Sequence, residues 1–340
     1  MTNSDGCLWV FISFVITVIS FGVIRIFSDL PTIAAFILAV ALSIFFTIKI
    51  LGKPSGKMVV RQGIFLVILF FGIKFIGSFV IAFIKNLESK TATFSTEEVV
   101  TTKILIEKND TIPVFTSNRS WKDNYGNRFS GPLSVREKDY LTLYNHTSNF
   151  RPPNGGNFWG NLYHYIEQKD TPSLDLVMEM FSGINAEKKL NQMEFAEMVV
   201  SCIQDIPYSF VFQDKCYPAN FYEDSIKNLL ENCPECCIGN VLYGIQNPVT
   251  FIKNLKGDCD TRTVLIYSIL KYFNYDVAIL NSDFYRHSII GINLPTSGLF
   301  KTNNGKKYVV WETTAKYFKA GNLPATFDDI RHWNVILTSK

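Results

Sequence analysis

At 340 residues the chain is too long for one ordinary domain, and at a net charge of +3 it lacks the Lys/Arg runs that nucleic acid requires. Apolar residues crowd positions 8–84 and thin to a globular mixture beyond Asn86, which excludes one evenly built domain. The pattern predicts a transmembrane region over 1–90, then about 250 residues able to bury their own core.

Three stretches match the ~20 residues that cross a bilayer: 8–27, 32–50 and 64–84. Ser28-Asp29-Leu30-Pro31 predicts a tight turn, so the first two should form a hairpin. A cleaved signal peptide fits poorly, because the first stretch is long and follows an N-terminus without Lys or Arg. Lys74, inside the third stretch, reads as a snorkelling or helix-facing residue before it reads as an ion path. Lys49, Lys53, Lys57 and Arg61 on one side oppose Arg25, Lys85 and Lys90 on the other. That bias predicts a cytoplasmic N-terminus and, after three crossings, an extracytoplasmic soluble domain.

The soluble part opens with β-branched sequence from Thr91 to about Ile106, a strand signal, followed by turn-rich Trp121–Asn127. Leu174–Ile184 and Glu194–Ile206 read as helices; in the second, Phe195, Met198, Val199, Cys202 and Ile203 form one apolar stripe. Residues 91–185 are thus a strand-rich and helical lead-in, and 186–340 a second segment. Cys202, Cys216, Cys233, Cys236 and Cys237 cluster as in compartments where disulfides form. Cys233-Pro234-Glu235-Cys236 admits zinc, but no second spaced pair or His element accompanies it, so a structural disulfide or plain thiols is the reading. The three Asn-x-Ser/Thr sequons carry no argument, since chance matches are frequent.

Gly257-Asp258-Cys259-Asp260 is a turn before a helix whose Leu265, Ile269, Tyr272 and Phe273 share a face. Strands follow at Tyr275–Leu280, His287–Asn293 and Lys307–Glu312, making the soluble part α+β with helices ahead of an antiparallel sheet. A helix start lowers a thiol pKa, so Cys259 is a candidate nucleophile, although Asp258 and Asp260 oppose that effect. His287 opens one strand and Glu312 closes the next, so an antiparallel pairing would bring them to the same edge as base and orienting carboxylate. Singly these would be a buried structural Cys, a surface His and a solvated Glu; their order on helix, strand and next strand is what joins them.

Gln192–Thr314, about a third of the chain, resembles the transglutaminase-like cysteine peptidase superfamily in its membrane-anchored bacterial type. The resemblance rests on Gly257-Asp258-Cys259-Asp260, on His287-Ser288-Ile289-Ile290, and on Tyr308–Thr314. Glu194–Tyr208 resembles the helix ahead of that core. The likeness implies a papain-like core with Cys259 as nucleophile, His287 as base and Glu312 as acid, where the family more often has Asp. It implies amide hydrolysis or acyl exchange on peptide or protein substrates, with no cofactor and no metal. Gln204 is a candidate oxyanion donor. The lipid bilayer is a partner through three helices, and nucleic acid is not. The alternatives are a non-catalytic interaction module of the same fold at the cell envelope, or a structural cysteine-metal site.

Overall fold

The computed structural model describes residues 3–27, 32–52, 100–107 and 110–340. The chain divides into two compact units, Met1–Ile84 and Lys85–Lys340. In the first, α1 (Asn3–Phe27) and α2 (Thr32–Leu51) pack on each other through a seam that repeats every four residues. Trp9, Ser13 and Thr17 on α1, with Ala35, Ala39, Ser43 and Thr47 on α2, are all buried. Small residues at this spacing let helix backbones approach closely. Ser13 Oγ and Ser43 Oγ lie 2.8 Å apart, and Ser43 Oγ donates to the Ser13 carbonyl at 2.6 Å.

The expectation of three spans is corrected here. Among the described residues one helix segment, Ile33–Leu51, is long and apolar enough to cross a membrane, with a mean hydropathy of 2.5. α1 begins with polar Asn3, Ser4 and Asp5, and its apolar stretch, Phe11–Ile26, falls short of the ~20 residues needed. The third expected span, 64–84, lies outside the described residues, as do Ser28–Pro31 and strand positions 91–99.

The second unit opens with an antiparallel sheet of β1 (Thr101–Glu107), β2 (Asp110–Lys122) and β3 (Arg128–Arg136). Asp123 makes the β2–β3 turn, its Oδ1 accepting the Tyr125 and Asn127 N–H groups at 2.8 Å each. Four helices follow: α3 (Glu137–Leu143), α4 (Phe158–Asp170), α5 (Asp175–Lys188) and α6 (Gln192–Gln204). α6 starts at a capping box, in which Asn191 accepts from the Glu194 N–H and Glu194 accepts from the Asn191 N–H. Next come β4 (Phe210–Val211), α7 (Asp224–Asn232), β5 (Cys237–Ile238), α8 (Pro248–Asn254) and α9 (Cys259–Tyr272). The chain then forms β6 (Val277–Ser282), β7 (His287–Ile292), β8 (Phe300–Asn303), β9 (Lys306–Trp311) and β10 (Asn334–Thr338).

The last five strands form one antiparallel sheet in the order β10-β6-β7-β9-β8. The second unit is α+β. Strand periodicity sorts its side chains onto two faces. Ile279, Ile290 and Trp311 join the main core with Leu265, Ile266 and Ile269 of α9, while Leu280, Ile289, Tyr308 and Val310 join a smaller cluster around Trp333. The main core extends without a break to Trp121 and Leu133 of the first sheet. α9 is therefore buried from Thr261 to Leu270 on every side, whereas Tyr272, expected on its apolar face, is exposed.

Four cysteines are consumed by two disulfides, Cys216–Cys237 and Cys233–Cys236, which leaves none of these four thiols for a zinc ion. Cys202 is buried in the core.

Candidate active site

α9 begins just after Gly257, where the chain packs closely on Phe251 of α8. A side chain on Gly257 would meet the Phe251 ring at 2.7 Å and Thr261 Cγ2 at 3.0 Å, so only glycine fits before the turn. Asp258 caps the helix by accepting the Thr261 N–H at 3.2 Å, which makes Cys259 the first helical residue. Arg262, one turn on, is wholly buried and has four carbonyl acceptors. Its Nε donates to Gly257 at 3.0 Å, Nη1 to Ile203 at 2.8 Å, and Nη2 to Ile206 and Pro207 at 2.7 and 2.6 Å. A cation at the C-terminal end of α6 answers that helix's dipole and ties it to the Cys259 turn. Burial lowers its pKa to about 10, so it stays charged at neutral pH. Arg262→Met strips four buried carbonyls of their donor and should cost at least about 3 kcal/mol in urea denaturation. An unchanged midpoint would mean the tie is dispensable.

His287 and Glu312 meet as the strand order predicted. β7 pairs antiparallel with β9, Ile290 opposite Trp311, and His287 Nε2 lies 3.0 Å from Glu312 Oε2. The other carboxylate oxygen accepts the Thr313 N–H at 2.9 Å, the Thr314 N–H at 2.6 Å and the Thr314 hydroxyl at 2.5 Å. Burial pushes the Glu312 carboxyl up, but His287 and Thr314 outweigh it, and the pKa is lowered. For His287, burial favours the neutral ring, but the Glu312 charge and hydrogen bond prevail and the pKa is raised above 6.5. The imidazole packs beside Phe327, 4.9 Å between ring centroids, and Trp333, 6.0 Å.

The Cys259 thiol donates to Asp260 Oδ1 at 3.9 Å, and the backbone N–H of Ser288, the residue after His287, favours its charged form. The expected low thiol pKa is overturned. Burial raises it well above the ordinary thiol value, Asp260 and Asp258 add to the rise, and the Ser288 N–H does not offset them. The resting sulfur is a thiol. The Asp258 carboxyl is itself pushed up, by burial first and then by Asp260. Asp260 Oδ1 is held by the Tyr163 hydroxyl at 2.8 Å and by the Ser288 hydroxyl. Asn281 Nδ2 closes the set by donating to Tyr163 Oη at 3.1 Å.

Gln204 is not an oxyanion donor. Its amide donates to the Glu312 carbonyl at 2.6 Å and the Phe318 carbonyl at 3.1 Å, steadying the acid from behind. Sequence reasoning missed Arg262, Tyr163 and Ser288. Arg262 alone had a signal, as a charge two residues ahead of the apolar run Val264–Ile266 of α9. Among the described residues no group of three or more His, Cys, Asp or Glu is placed to hold a metal ion. No protein-family model, no curated protein and no solved structure matches this chain.

Proposed function

We propose that this chain is a membrane-anchored, transglutaminase-like cysteine hydrolase or acyltransferase with a papain-like core. It would cleave or exchange amide bonds of peptides or proteins through Cys259, His287 and Glu312. The observation that carries this reading is the His287 Nε2–Glu312 Oε2 bond of 3.0 Å, together with Cys259 as the first residue of α9. The bond keeps the proton on Nε2 and leaves Nδ1 as the acceptor. The Cys259 sulfur attacks the amide carbon, its proton passes to His287 Nδ1, and the carbonyl π pair moves onto oxygen. A helix start leaves its first N–H groups without intrahelical acceptors, so those of Cys259 and Asp260 face the developing oxyanion. When the pair returns, the C–N bond breaks, His287 protonates the departing amine, and a thioester remains on Cys259. Water then completes hydrolysis, or an amine completes transamidation. The chemistry calls on no metal or organic cofactor.

A peptide vinyl sulfone given to the full chain in detergent should label Cys259, and His287→Ala should abolish the labelling. The second reading, a non-catalytic module of the same fold, is favoured by the raised thiol pKa and the buried sulfur. Under that reading the probe leaves Cys259 unmodified in wild type and variant alike.

The soluble unit is read as extracytoplasmic, supported by its two disulfides and by the span Ile33–Leu51. Protease added to intact cells or spheroplasts should degrade it. Protection until the membrane is broken would reverse the topology.

A further inference from the structure

Between α6 and Asn240 the chain leaves the core and returns, and the two disulfides staple this excursion. Residues 207–222 hold six aromatics in sixteen positions, against 14% for the whole chain. Tyr208 packs over the buried Arg262 guanidinium at 5.6 Å, but none of the six belongs to either apolar core. Tyr208, Phe210, Phe212 and Tyr222 are half-buried, and Tyr217 and Phe221 are exposed. The two-residue period of extended chain sets 208, 210 and 212 on one side. Their ring centroids follow at 5.3 Å and 5.6 Å, and Tyr222 stacks on Phe212 at 5.0 Å. At ~3.3 Å per extended residue, this row spans roughly four or five residues of a bound peptide.

Both ends of the row are tied to the segments that carry Cys259 and His287. Tyr208 forms a parallel bridge with Gly257, two residues before Cys259. Tyr222 precedes Glu223, whose carboxylate accepts from Arg286 Nη2 at 2.7 and 2.6 Å, and Arg286 precedes His287. We propose that the row Tyr208–Phe210–Phe212–Tyr222 is a substrate subsite, and that it selects peptides bearing an aromatic side chain within a few residues of the scissile amide. Ring-on-ring packing favours an aromatic over an aliphatic side chain of similar area by roughly 2- to 10-fold, a preference an ordinary apolar slot lacks.

The inference rests on Cys259 being the nucleophile, and one experiment separates the two. Fluorescein-labelled peptides differing only in one central residue, Phe, Leu or Lys, are titrated against the full chain carrying Cys259→Ala, in detergent. The Phe peptide should bind about 5-fold more tightly than the Leu peptide and more tightly still than the Lys peptide. Phe212→Leu, which keeps apolar volume but removes a ring, should bring the Phe/Leu ratio near one. Equal affinities for the three peptides overturn the subsite, as does an undiminished ratio in Phe212→Leu. The same peptides are then given to the wild-type chain. Aromatic preference in binding without cleavage upholds the subsite and removes the hydrolase reading. Cleavage without preference removes the subsite and leaves the nucleophile.

Discussion

Cys259→Ala and His287→Ala should each lower peptide turnover by about 10^4-fold or more, and the double variant should lose little beyond either one, because nucleophile and base act as a unit. Rates measured on the full chain in detergent check both statements. With the sulfur held as a thiol by burial and by Asp260 and Asp258, transfer of its proton to His287 is part of the acylation barrier. A Cys259→Ala protein that keeps its activity would end the enzyme reading. Losses that simply multiply in the double variant would show that the two residues act separately.

Glu312→Gln should be more damaging than Glu312→Ala. Glu312 Oε1 faces three donors, from Thr313 and Thr314, and only an oxygen satisfies that position. A glutamine at 312 must therefore turn its NH2 toward His287 Nε2, which makes Nε2 the acceptor and moves the ring proton to Nδ1. An imidazole in that tautomer cannot take the thiol proton. The expected loss is about 10^4-fold for the Gln variant and about 10^2-fold for the Ala variant, whose ring chooses its own tautomer. The pH profile supplies an independent sign. Neutral His287 is the active form and its pKa is raised, so the acid limb of kcat/KM lies above pH ~6.5. Removing the Glu312 charge lowers that pKa and moves the limb to lower pH in both variants. A limb that stays in place, or a Gln variant faster than the Ala variant, would mean that Glu312 does not hold the ring's proton.

The sequence was most legible where local pattern decides structure. Strands read at Tyr275–Leu280, His287–Asn293 and Lys307–Glu312 lie at Val277–Ser282, His287–Ile292 and Lys306–Trp311. The helices read at Leu174–Ile184 and Glu194–Ile206 lie at Asp175–Lys188 and Gln192–Gln204. The meeting of His287 with Glu312 followed from strand order alone. Relations between distant segments were not legible. β10 closes the sheet beside β6 although more than fifty residues separate them, and nothing local to Asn334–Thr338 announces that partner. Tyr163, Asp260 and Ser288 converge from a helix, a helix start and a strand, a meeting that only the fold creates. Gln204 was noticed but assigned the wrong task, because spacing tells which turn of α6 it occupies and not which carbonyls face it. The thiol pKa was misjudged for a related reason. Helix position can be read in the sequence, but the depth to which Cys259 is buried cannot.

The unbroken core from Trp121 to Trp311 has a consequence for how the unit comes apart. Trp121 Nε1 donates to the Met198 carbonyl at 3.1 Å, Arg119 meets Asp205 at 2.7 Å, and Asn124 Nδ2 donates to the Phe318 carbonyl at 3.1 Å. These links bind β2 and the turn after it to α6, to the residue capping its C-terminal end and to the loop after β9. The first sheet is thus a wall of the same interior that seats α9, and opening that wall would flood the helix bearing Cys259. A shared interior of this kind favours unfolding as one step across both sheets, and a fragment cut at 186 inherits an interior with one side missing. The residues of the triad occupy a short stretch of sequence, but their persistence as a set is a property of the whole unit.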